Sequence, residues 1–313
     1  MFFKETILGP VLHKIAYVSS ASSVRARRQP GGRIITFHGL GHPRYPADVF
    51  EAQLLYLSRH FSIVPLARIV HQVRTRARPD PGEIALTFDD GLRNHYLIGY
   101  PLLQRLGLPA TFFVCPGLID KGQWQWPYEV RARLALLSDP RLNRFARTVG
   151  APSAGREQLE EWMKTLPRKI RLDVEGRIRA LTLLFKPTPE QHAMFDTMTW
   201  EELRSLDPRL ITIGSHTASH PILTTLDPEE LHEEIWGSRR WLEEKLQRDV
   251  DFFCYPNGDH DDLVVRSVRD CYLAAVTTRS GFVLPGDDLH LLPRISTAEQ
   301  LPYLAWRLHR PTA

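Results

Sequence analysis

Short apolar, β-branched runs alternate along the chain with stretches whose apolar residues recur at helical spacing. Runs that stay apolar, rather than alternating with polar residues, read as strands buried on both faces. They fall at Arg33–Phe37, Ser62–Leu66, Glu83–Phe88, Ala110–Val114, Leu210–Gly214, Asp251–Tyr255, Leu273–Thr277 and Leu291–Ile295. Between them the pattern predicts helices over Ala47–Arg59, Tyr96–Leu106, Glu229–Leu246 and Asp261–Asp270. This alternation predicts a mostly parallel sheet, closed or open.

Two helix starts carry their own signals. Thr199-Trp200-Glu201-Glu202 is a capping box, in which the Glu202 side chain can reach back to the cap N–H. Asp227-Pro228 supplies an N-cap and then a proline at the first helical position, where its missing N–H costs nothing. From about Lys121 to Met198 the rhythm breaks, leaving only helical stretches such as Tyr128–Leu137 and Gln158–Phe185. That segment is too long for a plain strand-to-helix loop and reads as a helical insertion or lid over about 118–198.

Polar residues collect where the chain leaves its strands. His38 follows Phe37, Asp89 and Asp90 follow Phe88, and His216 and His220 follow Gly214. Tyr255-Pro256-Asn257-Gly258 follows Phe253, and Arg294 lies near the last strand end. In parallel α/β architectures the carboxyl ends of the strands share one rim, and chemistry gathers there. The spacing of four between His216 and His220 would put both imidazoles on one face of a helical turn. Joined by one carboxylate they make a two-His-one-carboxylate set with open positions for water and substrate. Past the strand end, the turn at Gly91 can aim both Asp89 and Asp90 inward, one to bind a cation and the other to take a proton. The plainer alternatives are a Ser215-capped turn with ordinarily hydrogen-bonded imidazoles, and an Asp-Gly turn with solvated carboxylates.

Composition narrows the classes. With 313 residues the chain fits two small domains or one α/β barrel, and 43% hydrophobic and 24% charged residues are ordinary for a globular protein. A net charge of +4 only weakly favours anionic partners. The clusters Arg25/Arg27/Arg28 and Arg74/Arg76/Arg78 could face a membrane surface or a phosphorylated carrier, but none interleaves with aromatics as a nucleic-acid platform does. Cys115, Cys254 and Cys271 lack CxxC spacing, which argues against a disulfide framework and for a reducing, cytoplasmic compartment. No run approaches the roughly 20 apolar residues of a membrane span. Residues 1–32 read as a helical extension without a clean signal-peptide pattern. Ile7, Leu8, Val11, Leu12 and Ile15 there could form an interfacial helix peripheral to the inner membrane.

Three ordered motifs resemble those of the polysaccharide deacetylase family, the NodB homology domain of carbohydrate esterase family 4. They are Thr-Phe-Asp-Asp-Gly at 87–91, Ser-His-Thr-Ala-Ser-His at 215–220 and Phe-Cys-Tyr-Pro-Asn-Gly at 253–258. Ile-Thr-Phe-His-Gly at 35–39 and Leu-Pro-Arg-Ile at 292–295 are similar to a subgroup found with bacterial surface-polysaccharide genes. The resemblance implies a single domain over 33–313, a distorted (β/α) barrel of about seven parallel strands with the helical insertion. It also implies a metal-dependent hydrolase that removes an N-acetyl group from an amino sugar of a surface polysaccharide, glycolipid, or lipid- or nucleotide-linked precursor. By position, Asp90, His216 and His220 would hold the metal, with zinc the default and cobalt, iron or nickel also suited. Asp89 would be the general base, and a backbone N–H, that of Tyr255, would join the metal in stabilising the oxyanion.

Two departures stand out. Cys254 occupies the place of the family's base-orienting arginine, making Arg294 the candidate substitute from another strand. The family's late histidine, the acid for the leaving amine, has no clear match; His38 is the first candidate and His290 the second. These departures keep open a non-catalytic glycan- or metal-binding relative. A deformylase-type N-deacylase is a second hydrolase reading, and a two-His-one-carboxylate iron oxygenase is disfavoured because such sites usually sit on all-β scaffolds. Trp124, Trp126 and Trp200 are candidate sugar-stacking faces.

Overall fold

The computed structural model describes residues 13, 14, 17 and 21–311, so Ile7, Leu8, Val11, Leu12 and Ile15, the apolar residues of the expected interfacial helix, lie outside the described residues. Eight strands form one parallel sheet: β1 (Arg33–Phe37), β2 (Ser62–Ile63), β3 (Glu83–Phe88), β4 (Ala110–Val114), β5 (Ile211–Ser215), β6 (Phe252–Cys254), β7 (Ala274–Ser280) and β8 (Leu292–Ser296). Pairing of β1 with both β3 and β8 closes seven of them into a barrel. The extra strand β2 shares an edge of β3 with β4, β2 at its start and β4 at its end.

Alternation along each strand sorts side chains to two faces. Ile35, Phe37, Leu86, Phe88, Phe112, Ile213 and Phe253 pack outward against surrounding helices such as Ala47–His60 and Ser238–Leu246. Ile34, Ala85, Phe113, Phe252, Val276 and Leu292 fill the lumen, where Leu66, Ile69, Val70 and Val73 of helix Leu66–Arg74 join them. That helix sits against Gly32, just before β1, and so closes the end of the barrel where strands begin. Burying its four apolar side chains stabilises the closure by about 1.5–3 kcal/mol each. The other end, where strands finish, is left for polar groups.

The observed elements correct the expected ones in places. β2 is only two residues long because Pro65 starts the helix at Leu66. The single helix expected over Gln158–Phe185 is two, Arg156–Lys164 and Arg168–Leu181, interrupted where Pro167 removes a backbone donor. Helix Glu229–Leu246 contains a π turn at Glu233–Gly237. Both capping motifs form, at Thr199 and at Asp227. The segment after β4 folds as helices Trp126–Leu134, Asp139–Val149, Arg156–Lys164, Arg168–Leu181 and Pro189–Phe195. Their own small core is built from Trp126, Leu134, Phe145, Leu159, Met163 and Ile178. All three cysteines are free and buried. Among the described residues no helix is long and apolar enough to cross a membrane.

Candidate active site

Alternation carries Ala85, Thr87 and then Asp89 to the lumen side of β3, while Leu292 and Arg294 do the same from β8. Arg294 therefore fills the upper lumen, 1% exposed, and meets Asp89 as a fork: Nη1 donates to Oδ1 at 2.7 Å and Nη2 to Oδ2 at 2.6 Å. The guanidinium is fixed further by Nε donating to Thr277 O (2.9 Å) and by contacts to Thr87 Oγ1 and Cys254 Sγ (both 3.2 Å). Cys254, at the position where the family's arginine was expected, is thus a direct neighbour of Arg294. Burial alone would raise the Asp89 pKa. The charge and hydrogen bonds of Arg294, followed by His38 and His216, outweigh it and hold the carboxyl well below the usual range.

Asp90 (φ 79°) and Gly91 (φ 63°) are both left-handed, which turns the chain sharply enough for the second carboxylate to face the same mouth. Such a backbone is unfavourable for aspartate and persists because surrounding contacts fix it. Asp90 Oδ1 lies 3.5 Å from His216 Nε2 and 3.7 Å from His220 Nε2. The same carboxylate accepts from two residues of the insertion, Gln125 Nε2 at 2.8 Å and Tyr128 OH at 2.7 Å. Burial opposes its charge, but the His216 hydrogen bond and then the histidines around it, His38, His220 and His216, hold its carboxyl well below the usual range.

The two imidazoles converge, but not through the helical turn the spacing suggested. After β5 the chain forms an irregular loop in which Thr217 (φ 66°) and His220 (φ 57°) are left-handed and His220 N–H donates to Thr217 Oγ1 at 2.9 Å. His216 Nδ1 donates to Cys254 O at 2.7 Å, which turns Nε2 toward Asp90. Burial opposes the charge of this ring, but Cys254 and the Asp90 hydrogen bond raise its pKa well above the usual imidazole value. Burial, then the charge of His216, lowers the His220 pKa to about 3, so this ring is neutral.

The remaining candidates divide. His38 sits on the rim, its side chain 54% exposed and its Nε2 3.8 Å from Asp89 Oδ2. His290 is turned away, with Nε2 on Tyr272 O at 2.9 Å. Tyr255 is fully buried, its hydroxyl donating to His290 O, and its N–H reaches Val276 O across the ladder at 3.4 Å. The next amide along this turn, past Pro256, belongs to Asn257 (φ 56°), which lines the site cavity. That cavity, about 230 Å³, is floored by Asp89, Asp90, His216 and His220 and walled by Gln125, Trp126, Tyr128 and Arg131 of the insertion. Trp126 is only 5% exposed, and the Trp124 and Trp200 indoles lie outside this cavity on Asp196 and Asp120. Sequence reasoning missed Gln125 and Tyr128, whose only trace was the aromatic density of Trp124-Gln125-Trp126-Pro127-Tyr128.

The donor set fits a divalent metal. Ligand atoms of Asp90, His216 and His220 all lie within 4.8 Å of one another, and tetrahedral zinc with bonds of about 2.0 Å needs its ligands roughly 3.3 Å apart. Two imidazoles and one carboxylate are ligand types zinc takes, and a cation there would take the place of the proton on His216.

A closed parallel barrel with such a group at its mouth defines a (β/α)-barrel protein with a candidate metal centre. The chain belongs to the polysaccharide deacetylase family, whose profile matches residues 76–276, well over half of its length. Arg294 lies beyond that stretch. Among solved structures, the deacetylase PplD of Streptococcus pyogenes, in complex with acetate, is 17% identical with TM-score 0.61, covering 90% of this chain and 99% of PplD. IcaB from Ammonifex degensii is 18% identical with TM-score 0.59, covering 89% and 98%. The BpsB deacetylase domain of Bordetella bronchiseptica is 16% identical with TM-score 0.54, covering 85% and 95%. At these identities the likeness is one of fold. No curated protein matches the chain.

Proposed function

We propose that this chain is a divalent-metal-dependent hydrolase that removes the N-acetyl group from an amino sugar carried on a surface polysaccharide, a glycolipid, or a lipid- or nucleotide-linked precursor. One observation carries the reading: two adjacent buried carboxylates have different partners. Asp90 faces the imidazoles of His216 and His220, while Asp89 is held by Arg294.

Asp90, His216 and His220 would hold the cation, with zinc foremost and cobalt, iron or nickel suited to the same donors. A cation there would supply Lewis acidity to a water and to the amide carbonyl. Asp89, ionised and kept off that triad by Arg294, takes the proton of the attacking water; its lone pairs outnumber the two donors of the arginine fork. The Tyr255 amide, our sequence-based choice of oxyanion donor, is directed at Val276 O. We assign that role to the Asn257 amide, the first donor past the ladder. His38, on the rim beside Asp89, is placed to pass a proton to the leaving amine. The reaction would release acetate, the molecule held by PplD in its structure.

The test is bound metal and released acid. The protein purified without added metal should carry about one metal per chain, lost in a folded His216→Ala variant, and should release acetate rather than formate from N-acetylated amino-sugar oligomers. A folded wild-type protein that binds no metal even when zinc or cobalt is supplied would overturn the reading.

A further inference from the structure

The helical insertion carries a surface that the chemistry of the barrel mouth does not use. Residues 118–198 contain fourteen Lys and Arg against ten Asp and Glu, so the whole net charge of +4 resides there and the rest of the chain is balanced. On this cationic segment, the turn after helix Arg168–Leu181 presents Leu183, 84% exposed, and Leu184, 95% exposed, with Leu181 also exposed beside them. The turn is built, not loose. Arg133 Nη1 donates to Thr182 O (3.1 Å) and Thr182 Oγ1 (3.0 Å), Arg141 Nη2 donates to Leu181 O (3.2 Å), and Thr182 Oγ1 donates to Ile178 O (2.7 Å).

We propose that this leucine turn is a docking finger for an anionic lipid bilayer. Two adjacent, nearly fully exposed leucines are too small a patch for a stable protein interface but the right size to enter the headgroup–acyl boundary. The cations around them are free to meet lipid phosphates. Arg141 anchors the turn, Arg144 follows one helical turn on, about 4.5 Å along the axis, and Lys186 lies two residues past Leu184. Among the described residues no carboxylate pairs with Arg141, Arg144 or Lys186; the only acidic partner near the start of that helix, Asp139, pairs with Arg156. Each such cation near an anionic surface strengthens partition about fivefold, and salt weakens it. The insertion that walls the site with Gln125 and Tyr128 would then also set the barrel mouth relative to the membrane. This inference stands apart from the deacetylase reading, because its readout needs no catalysis.

Co-sedimentation of the full chain with vesicles tests it. Wild type should pellet with phosphatidylcholine vesicles containing phosphatidylglycerol, stay in solution with phosphatidylcholine alone, and be released by high salt. The Leu183→Ser/Leu184→Ser variant, whose side chains pack on nothing that holds the fold, should keep its circular dichroism and metal content. It should bind about ten- to a hundredfold more weakly. Arg141→Gln/Arg144→Gln should weaken binding to the anionic vesicles alone. Wild type that ignores anionic vesicles, or a leucine variant that binds as well as wild type, would overturn the proposal. So would a leucine variant whose only change is the loss of a wild-type dimer, which would make the finger a contact between copies.

Discussion

Arg294 reaches across the barrel lumen from β8 and grips both oxygens of Asp89 at the end of β3, at 2.7 and 2.6 Å. The two residues are 205 positions apart in sequence and both are buried. Truncating the arginine in Arg294→Met leaves a buried carboxylate without its partner, which costs about 3–5 kcal/mol of folding stability. It also frees the base to rotate or to pick up a proton, so acetate release should fall by roughly 100-fold or more. Arg294→Lys keeps the charge but not the planar fork, and should fall between wild type and Arg294→Met in both measures. Denaturant unfolding and an acetate assay check this. An Arg294→Met variant with wild-type activity would remove Arg294 from the site.

Tyr128 and Gln125 approach Asp90 from the insertion, 2.7 and 2.8 Å from its two oxygens. Donors of this kind orient a ligating carboxylate, and their loss typically weakens metal affinity about 10–100-fold. Tyr128→Phe removes one hydroxyl with little change of shape, because the ring stays stacked on Phe195 at 4.7 Å. Competition with a chelator should show weaker metal binding for Tyr128→Phe and for Gln125→Ala, with the fold intact by circular dichroism. Unchanged affinity in both would mean that the insertion covers the site without tuning it.

How far the sequence could reach depended on the range of the interaction involved. β1, β3 and β4 were readable to the residue because each is an apolar run that ends at a polar or proline-bearing turn. The other strands shifted by a residue or more where flanking apolar residues such as Leu210, Tyr255 and Leu291 lie beyond the ladder. Asp89, Asp90, His216 and His220 stood out as polar residues at strand ends. Their convergence through left-handed backbone at Asp90, Thr217 and His220 did not, since no residue pattern marks a strained φ in a non-glycine. Gln125 and Tyr128 were invisible for a different reason. Neutral side chains meeting Asp90 from a helix 35 and 38 residues away leave no periodic signature.

His95 gives the fold a pH dependence of its own. Its ring packs against both Phe88 and Phe112, its Nε2 is 2.9 Å from His38 O, and Nδ1 is buried without a partner. Burial lowers its pKa from 6.5 to about 4, only partly offset by the His38 carbonyl. As pH falls below 6.5 the unfolded chain takes up the proton first. Stability is therefore fully present above that pH and is lost progressively down to about 4, a change on the order of 3 kcal/mol. His95→Gln keeps a donor for the carbonyl but cannot titrate, so its stability should decline less steeply across this window. Both proteins are to be unfolded in chelator at several pH values, so that no metal contributes and the titration of the Asp and His side chains they share cancels. Identical slopes would show that His95 takes up no proton on unfolding there.

Gly214 and His216 share the lumen side of β5, and the glycine is what lets the lumen close beneath the imidazoles. A methyl group added at Gly214 would lie 2.5 Å from the Phe113 ring and 3.0 Å from Phe252 O. Phe113 is fully buried in the lumen and cannot step aside. Gly214→Ala should therefore destabilise the protein by about 1–3 kcal/mol through overpacking. The strain falls two residues before His216, so metal affinity should drop as well. Gly176, in the exposed face of helix Arg168–Leu181, is the contrasting case, since an added methyl there meets nothing within 4 Å. Gly176→Ala should stabilise by about 0.5–1 kcal/mol, because alanine loses less backbone entropy in a helix interior, and should leave metal binding alone. Opposite signs for one substitution, read from midpoints of denaturant unfolding, separate lumen packing from helix propensity. A neutral Gly214→Ala would mean that the Phe113 ring has another position open to it and that the barrel floor under His216 is less tightly packed than the structure shows.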